Sequence, residues 1–198
     1  MEKKELVIKV PILIIAFNRP DVTAKTFEFI RAAKPEKLYI AVDGPRPDKP
    51  GEEKLVEKVK GILQDINWPC ETHYKYNETN KGAEVTVSSA ISWVFKTEEY
   101  AIILEDDIVA PLSFLKFAQE MLIKYKDDER IGTVTGSNFT PMHIPNSVDY
   151  FFAKYGHSWG WATWKREWNA FDLNVDIPAE HLELSFLKTK TNTIKEAK

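Results

Sequence analysis

The run Tyr100-Ala101-Ile102-Ile103-Leu104 has no polar interruption and ends on three acids, Glu105-Asp106-Asp107, followed by Ile108-Val109-Ala110-Pro111. An unbroken apolar run of this length reads as a strand buried on both faces, the pattern of an inner strand in a parallel sheet. Carboxylates crowded at the end of such a strand repel one another and lose hydration. They need a cation, a hydrogen-bonded ligand or exposure at a sheet edge. In an open α/β sheet, ligands bind beyond the carboxyl ends of the strands. The three acids therefore stand where a hard divalent ion and a phosphate can meet. An isolated acidic triplet is ordinarily a solvated loop; its position after a buried strand sets this one apart.

Residues 10–17 (VPILIIAF) read as another buried strand. Asn18-Arg19-Pro20-Asp21 ends it and opens a helix, with Asp21 as the expected cap and Val22, Phe27 and Ile30 on the apolar side. Residues 38–42 form a second strand, stopped by Asp43-Gly44-Pro45-Arg46-Pro47. Leu55, Val56, Val59, Ile62 and Leu63 recur at helical spacing. A short strand over 72–76 and a polar turn over 77–82 precede a helix marked by Ala83, Val87, Ala90, Ile91 and Val94. A helix over 111–126 carries Pro in its first turn, where proline is tolerated. Strands are expected over 131–135 and 150–153. Trp161, Trp164 and Trp168 fall at i, i+3 and i+7, which predicts a helix with a core-facing stripe. The tail over 179–198 is weakly amphipathic, then polar. Strands alternating with helices over the first 135 residues imply parallel βαβ units. The expected fold is a single α/β domain over residues 1–198, with a mostly parallel central sheet flanked by helices and an irregular C-terminal third.

Composition narrows the function. The 198 residues suffice for one sizeable core, and 43% hydrophobic with 29% charged residues is an ordinary globular balance. A formal net charge of -3 argues against a nucleic-acid partner, which calls for a basic stripe. The single cysteine, Cys70, makes no internal disulfide and reads as a small packed hydrophobe. The apolar segment near the N-terminus is broken by Lys9 and Pro11, too short to span a membrane and without a cleavage site after it. A soluble, cytoplasmic protein is expected, and peripheral membrane association is compatible with this reading. There is no G-x-G-x-x-G, P-loop, H-E-x-x-H or G-x-S-x-G pattern. His73, His143, His157 and His181 keep no metal-ligand spacing.

Four polar clusters lie at or just after the carboxyl ends of expected strands: Phe17-Asn18-Arg19, Asp43-Gly44-Pro45-Arg46, Asn80-Lys81-Gly82 and Glu105-Asp106-Asp107. Singly, each has an ordinary explanation: a surface salt bridge, an Asp-Gly-Pro turn, a helix-entry turn, a solvated loop. Together they set acidic, basic and amide groups along one rim of one sheet, which a packed core does not require. Trp159 and Trp161, in Gly156-His157-Ser158-Trp159-Gly160-Trp161, also offer an apolar platform for the C–H face of a sugar ring.

In this order, the segments VPILIIAFNRP, VDGPR, NETNKG, ILEDDIVAP and GHSWGWATW resemble nucleotide-sugar glycosyltransferases of the GT-A fold. ILEDD with its proline-started helix is similar to the acidic metal motif of the N-acetylglucosaminyltransferase I group. GHSWGWATWKREW resembles a segment of bacterial glycosyltransferase-like proteins related to that group. The resemblance covers roughly residues 10–170. It implies a UDP-sugar donor, Mn²⁺ or Mg²⁺ held by Asp107, and a glycan or other hydroxyl acceptor. It further implies that Asp106 contacts the ribose and Glu105 the donor sugar. Asp43 would read the base edge, Arg19 would neutralise phosphate, and Phe17, Asn80 and Gly82 would border the donor pocket. Residues 1–135 would be the nucleotide-binding half and 136–198 the acceptor side.

Inverting members carry an acidic base in a short aromatic-acidic motif after the tryptophan-rich segment. That motif is not found here, and Asp172 is the substitute candidate. The expected reaction is metal-dependent transfer of the sugar with inversion. The alternative is a nucleotide-sugar or glycan-binding module lacking the base. A sugar-nucleotide nucleotidyltransferase would need a glycine-rich opening loop, which AFNRPD does not supply.

Overall fold

The computed structural model describes residues 7–138, 149–154 and 156–170. Strand β1 (Ile12–Ala16) is buried along its whole length. Its side chains divide between two cores, Ile12, Ile14 and Ala16 entering one and Leu13 and Ile15 the other. β2 (Lys37–Val42) and β4 (Tyr100–Glu105) divide in the same way, with Ile40 opposed to Tyr39 and Ile102 to Ile103. Burial on both faces is why these strands read as unbroken apolar runs rather than alternating ones.

Helices α1 (Pro20–Ala33), α2 (Glu52–Gln64) and α4 (Leu112–Lys124) supply the first core with Phe27, Ile30, Val56, Val59, Leu115 and Leu122. α3 (Ala83–Val94) covers the opposite face through Ala90, Ile91 and Val94. The sheet is completed by β3 (Glu71–Tyr76), β5 (Thr133–Thr135) and β6 (Trp161–Trp164), and a short helix α5 (Lys165–Trp168) follows.

The strand order is β3-β2-β1-β4-β6-β5. β3, β2, β1 and β4 are parallel neighbours, while β6 runs antiparallel to both β4 and β5. From β1 the chain winds outward to β2 and β3. It then crosses back over the other face through α3 and places β4 on the far side of β1. The carboxyl ends of β1 and β4 therefore form a topological switch point, where the connections part and a crevice opens.

The expected mixed α/β architecture is present, with four corrections. First, Trp161–Trp164 is a strand, and only Lys165–Trp168 is helical. Positions three apart on a strand face opposite ways. Trp161 accordingly packs on the α3 side, whereas Trp164 enters the other core and donates its indole Nε1–H to the Leu122 carbonyl at 3.0 Å. The three tryptophans only mimic a helical stripe. Their segment is drawn into a slot between β4 and β5 that ladder bonds fill, so the C-terminal third contributes to the sheet. Second, β5 is confined to Thr133–Thr135. Third, residues 150–153 form no strand; Tyr150 packs instead against Phe117 of α4 and Tyr125 just past its end, with ring centroids 6.0 and 6.4 Å away. Fourth, Asp21 is not the cap of α1: the cap is Arg19, Pro20 opens the helix and Asp21 sits in its first turn.

Candidate functional site

The ends of β1 and β4 meet through charge. Arg19, directly after β1, donates from Nη2 to Asp106 Oδ1 and, at 3.1 Å, to Asp107 Oδ2. The two acids differ in setting. The Asp106 side chain is 4% exposed, turned under the rim toward α1, where the Thr23 hydroxyl is 3.5 Å from Oδ2. Its backbone carbonyl accepts the Thr26 hydroxyl at 2.7 Å. The Asp107 side chain is 45% exposed. Glu105 is half-buried; burial raises its pKa above the usual carboxylate range, the charges of Asp107 and Asp106 add to this, and Arg19 opposes it. One triplet thus yields three environments, with Asp107 turned outward.

That arrangement decides how a divalent ion would fit. Among the described residues, no group of three or more His, Cys, Asp or Glu side chains could enclose an ion unaided. Mg²⁺-type ions commonly take one or two carboxylates and complete their shell with substrate phosphate and water. Asp107 suits that mode, because it projects from a rim beside a cationic side chain. Asp106 does not, because its side chain is buried, turned under the rim toward α1.

The next wall is built around Asp43, 4% exposed at the end of β2. Oδ1 accepts the Gly44 N–H at 3.0 Å, the Asn77 amide at 2.8 Å and the Lys81 N–H at 3.0 Å. Oδ2 accepts the Asn80 amide at 2.8 Å and the Lys81 and Gly82 N–H groups at 3.2 Å each. A carboxylate offers about four lone-pair sites, so protein donors saturate it. Asn80 also donates to the Gly44 carbonyl at 3.2 Å. Gly44 permits this lacing, since a Cβ there would lie 2.5 Å from the backbone nitrogen of Thr79. Gly82, at φ +82°, starts α3 in a conformation that favours glycine. Asp43, Asn80 and Gly82 are indeed brought together, but the Asp43 carboxylate faces its own loop rather than an open edge.

A third buried acid was not singled out from the sequence. Glu52, 5% exposed, accepts the Arg46 backbone N–H at 2.7 Å, the Asn18 amide at 2.8 Å and the Arg46 guanidinium through Nε and Nη2. The Arg46 bonds hold its carboxyl at about 2, against the opposing effect of burial. Arg46 also lies over the Phe17 ring at 5.6 Å. The signal was present: Glu52, Val56, Val59 and Leu63 share one face of α2, and an acid on an apolar stripe requires a buried partner.

Beyond Asp107 the described residues border a groove of about 1700 Å³, lined in part by Val109, Phe114, Tyr150, Phe152 and Trp159. The Trp159 side is held by Ser137, whose hydroxyl donates to the Trp159 carbonyl at 2.9 Å. Gly160 turns there at φ +63°, and its Cβ position lies 3.2 Å from Ile108, one residue past Asp107. Trp159 and Trp161 therefore do not form one platform; Trp159 borders the groove and Trp161 packs on the α3 side. Asp172 lies outside the described residues.

No family model and no curated protein matches the chain. Among solved structures it is similar to the 4-diphosphocytidyl-2C-methyl-D-erythritol synthase from Anaerococcus prevotii DSM 20548, with a TM-score of 0.45 and 14% identity over 89% of this chain and 82% of that one. Among the described residues, no helix is long and apolar enough to cross a membrane.

Proposed function

We propose that the chain is the nucleotide-sugar-binding domain of a metal-dependent glycosyltransferase of GT-A type, taking a UDP-sugar and passing the sugar with inversion to a hydroxyl of a glycan or other acceptor. The observation that supports this most is the meeting of Arg19 with Asp106 and Asp107 across the switch point between β1 and β4. A rim that carries both an anchored cation and an outward carboxylate suits a diphosphate, which needs positive charge from the protein and an ion to join it to the acid.

In this reading Asp106 is the anchor that fixes Arg19, and Arg19 meets the phosphate charge. Asp107 would hold Mn²⁺ or Mg²⁺, which when bound stabilises the leaving diphosphate. Glu105, half-buried beside them, faces the donor sugar, where its carboxylate can accept a hydrogen bond from a sugar hydroxyl. Phe17, Asn80 and Gly82 bound the nucleoside side. The acceptor enters through the groove past Asp107, and its hydroxyl proton goes to a base, for which Asp172 remains the candidate.

The test is calorimetry of UDP with and without Mn²⁺ on the parent chain and on Asp107→Asn. The parent should bind UDP more tightly with the ion, and the variant should lose the ion-dependent part alone. Equal affinity with and without Mn²⁺ in the parent refutes the metal role. Ion-dependent binding without UDP release from any UDP-sugar would instead mark a nucleotide-sugar-binding module.

A further inference from the structure

We propose that Arg46 is the group that reads the nucleobase, through carbonyl oxygens on the base edge. This rests on the nucleotide-sugar reading above and reassigns one part of it. Asp43 then becomes a positioning residue for the wall, since its lone pairs are taken by Gly44, Asn77, Asn80, Lys81 and Gly82.

Three observations carry the proposal. Among the described residues, Arg46 hydrogen-bonds on one side only: Nε and Nη2 are committed to Glu52, while Nη1 keeps two N–H donors for a ligand. The committed side is rigid, because Glu52 is buried in the first turn of α2 and tied in turn by Asn18. The guanidinium lies over Phe17, which directly follows β1 two residues before Arg19. A flexible surface arginine loses side-chain entropy on binding; one already locked by a buried carboxylate loses little.

Position selects the ligand atom. The cations and acids suited to a diphosphate gather at the β1–β4 crevice. β2 lies on the other side of β1, one strand spacing of about 4.8 Å away. A nucleotide whose diphosphate meets Arg19 and Asp107 therefore extends its base past the end of β1 toward Phe17 and Arg46. A donor pair on a guanidinium complements carbonyl oxygen, the acceptor that uracil presents on both sides of its N3–H. A phosphate oxygen shares that acceptor chemistry, and the experiment separates the two sources.

Binding of uridine, UDP and inorganic pyrophosphate is measured on the parent chain, on Arg46→Lys and on Glu52→Gln, with thermal melting of each. Lysine keeps a cation beside Glu52 but removes the planar fork; glutamine keeps the arginine but frees it. Arg46→Lys should weaken UDP and uridine about tenfold or more and leave pyrophosphate within twofold, as expected for one lost ligand hydrogen bond. Glu52→Gln should weaken the same two ligands by a smaller factor. Loss of pyrophosphate with uridine spared makes Arg46 a phosphate group and overturns the proposal. Unchanged UDP affinity in both variants also overturns it, while UDP binding by the parent leaves the nucleotide-sugar reading standing. A parent chain that binds none of the three ligands overturns both.

Discussion

Replacing Asp43 tests whether that carboxylate is a fastening or a ligand. In the parent fold it accepts from the backbone N–H groups of Gly44, Lys81 and Gly82 and from the side chains of Asn77 and Asn80. In Asp43→Ala the two asparagine amides can turn to water, but the three backbone donors are fixed by the crossing of the 43–45 and 79–82 segments. Each charge-assisted hydrogen bond contributes about 1.5–3 kcal/mol. With water replacing part of that, the loss should be about 2–4 kcal/mol, or a fall in Tm of roughly 5–15 °C for a chain of this size. Asp43→Asn should be nearly as costly, because it turns an NH₂ group toward converging N–H donors. The assay is urea denaturation, with amide hydrogen exchange at residues 81 and 82 as the local readout. An Asp43→Asn chain within about 0.5 kcal/mol of the parent, with unchanged exchange at those amides, refutes the fastening role. If that variant also loses uridine, the carboxylate is a ligand after all.

Arg19→Gln removes the partner of the buried Asp106 but also an arginine that is half in solvent, so urea denaturation should show a loss of about 1–2 kcal/mol, well under that of a fully buried pair. Trp164→Phe should cost about 1–3 kcal/mol by orphaning the Leu122 carbonyl, and Trp161→Phe distinctly less; equal costs in denaturant would favour a helical stripe over the strand. The Glu52 carboxyl is depressed from 4.5 to about 2, so its contribution is complete above about pH 4.5 and is lost as pH falls toward 2. The melting-temperature gap between parent and Glu52→Gln should therefore be constant near neutrality and close across that acidic window; a gap that widens on acidification contradicts the assignment.

The buried strands were legible because parallel strands covered on both faces need unbroken apolar runs, and 10–17 and 100–104 have them. The rim was legible for the same reason: polar residues directly after such a run have to lie at a sheet end. Pattern failed where tertiary context decides. Trp161-Ala162-Thr163-Trp164 satisfies a helical spacing and a strand alike, and only the slot between β4 and β5 selects the strand. Side-chain commitment was also hidden. Nothing local to Asp43 shows that the 77–82 loop will fold back and fill its oxygens, because that depends on Gly44 letting Thr79 approach. Glu52 was the missed opportunity, an acid standing on the apolar stripe of its own helix.

The late arrival of β6 in the chain governs how this sheet can be assembled. β5 pairs with β6, and β6 is the neighbour that closes β4. Until residue 164 has left the ribosome, the parallel β3-β2-β1-β4 half has to persist with the N–H and C=O groups of β4 unpaired along one side, on a strand whose Ala101-Ile102-Ile103-Leu104 run is buried in the finished fold. Such an edge templates association with other chains, and closing it depends on a contact between Tyr100 and Trp164, distant in sequence. Shortened chains that stop before the tryptophan-rich segment should therefore accumulate as aggregates rather than as a smaller nucleotide-binding unit. An expression series truncated on either side of residue 164, compared by soluble yield, would locate that threshold.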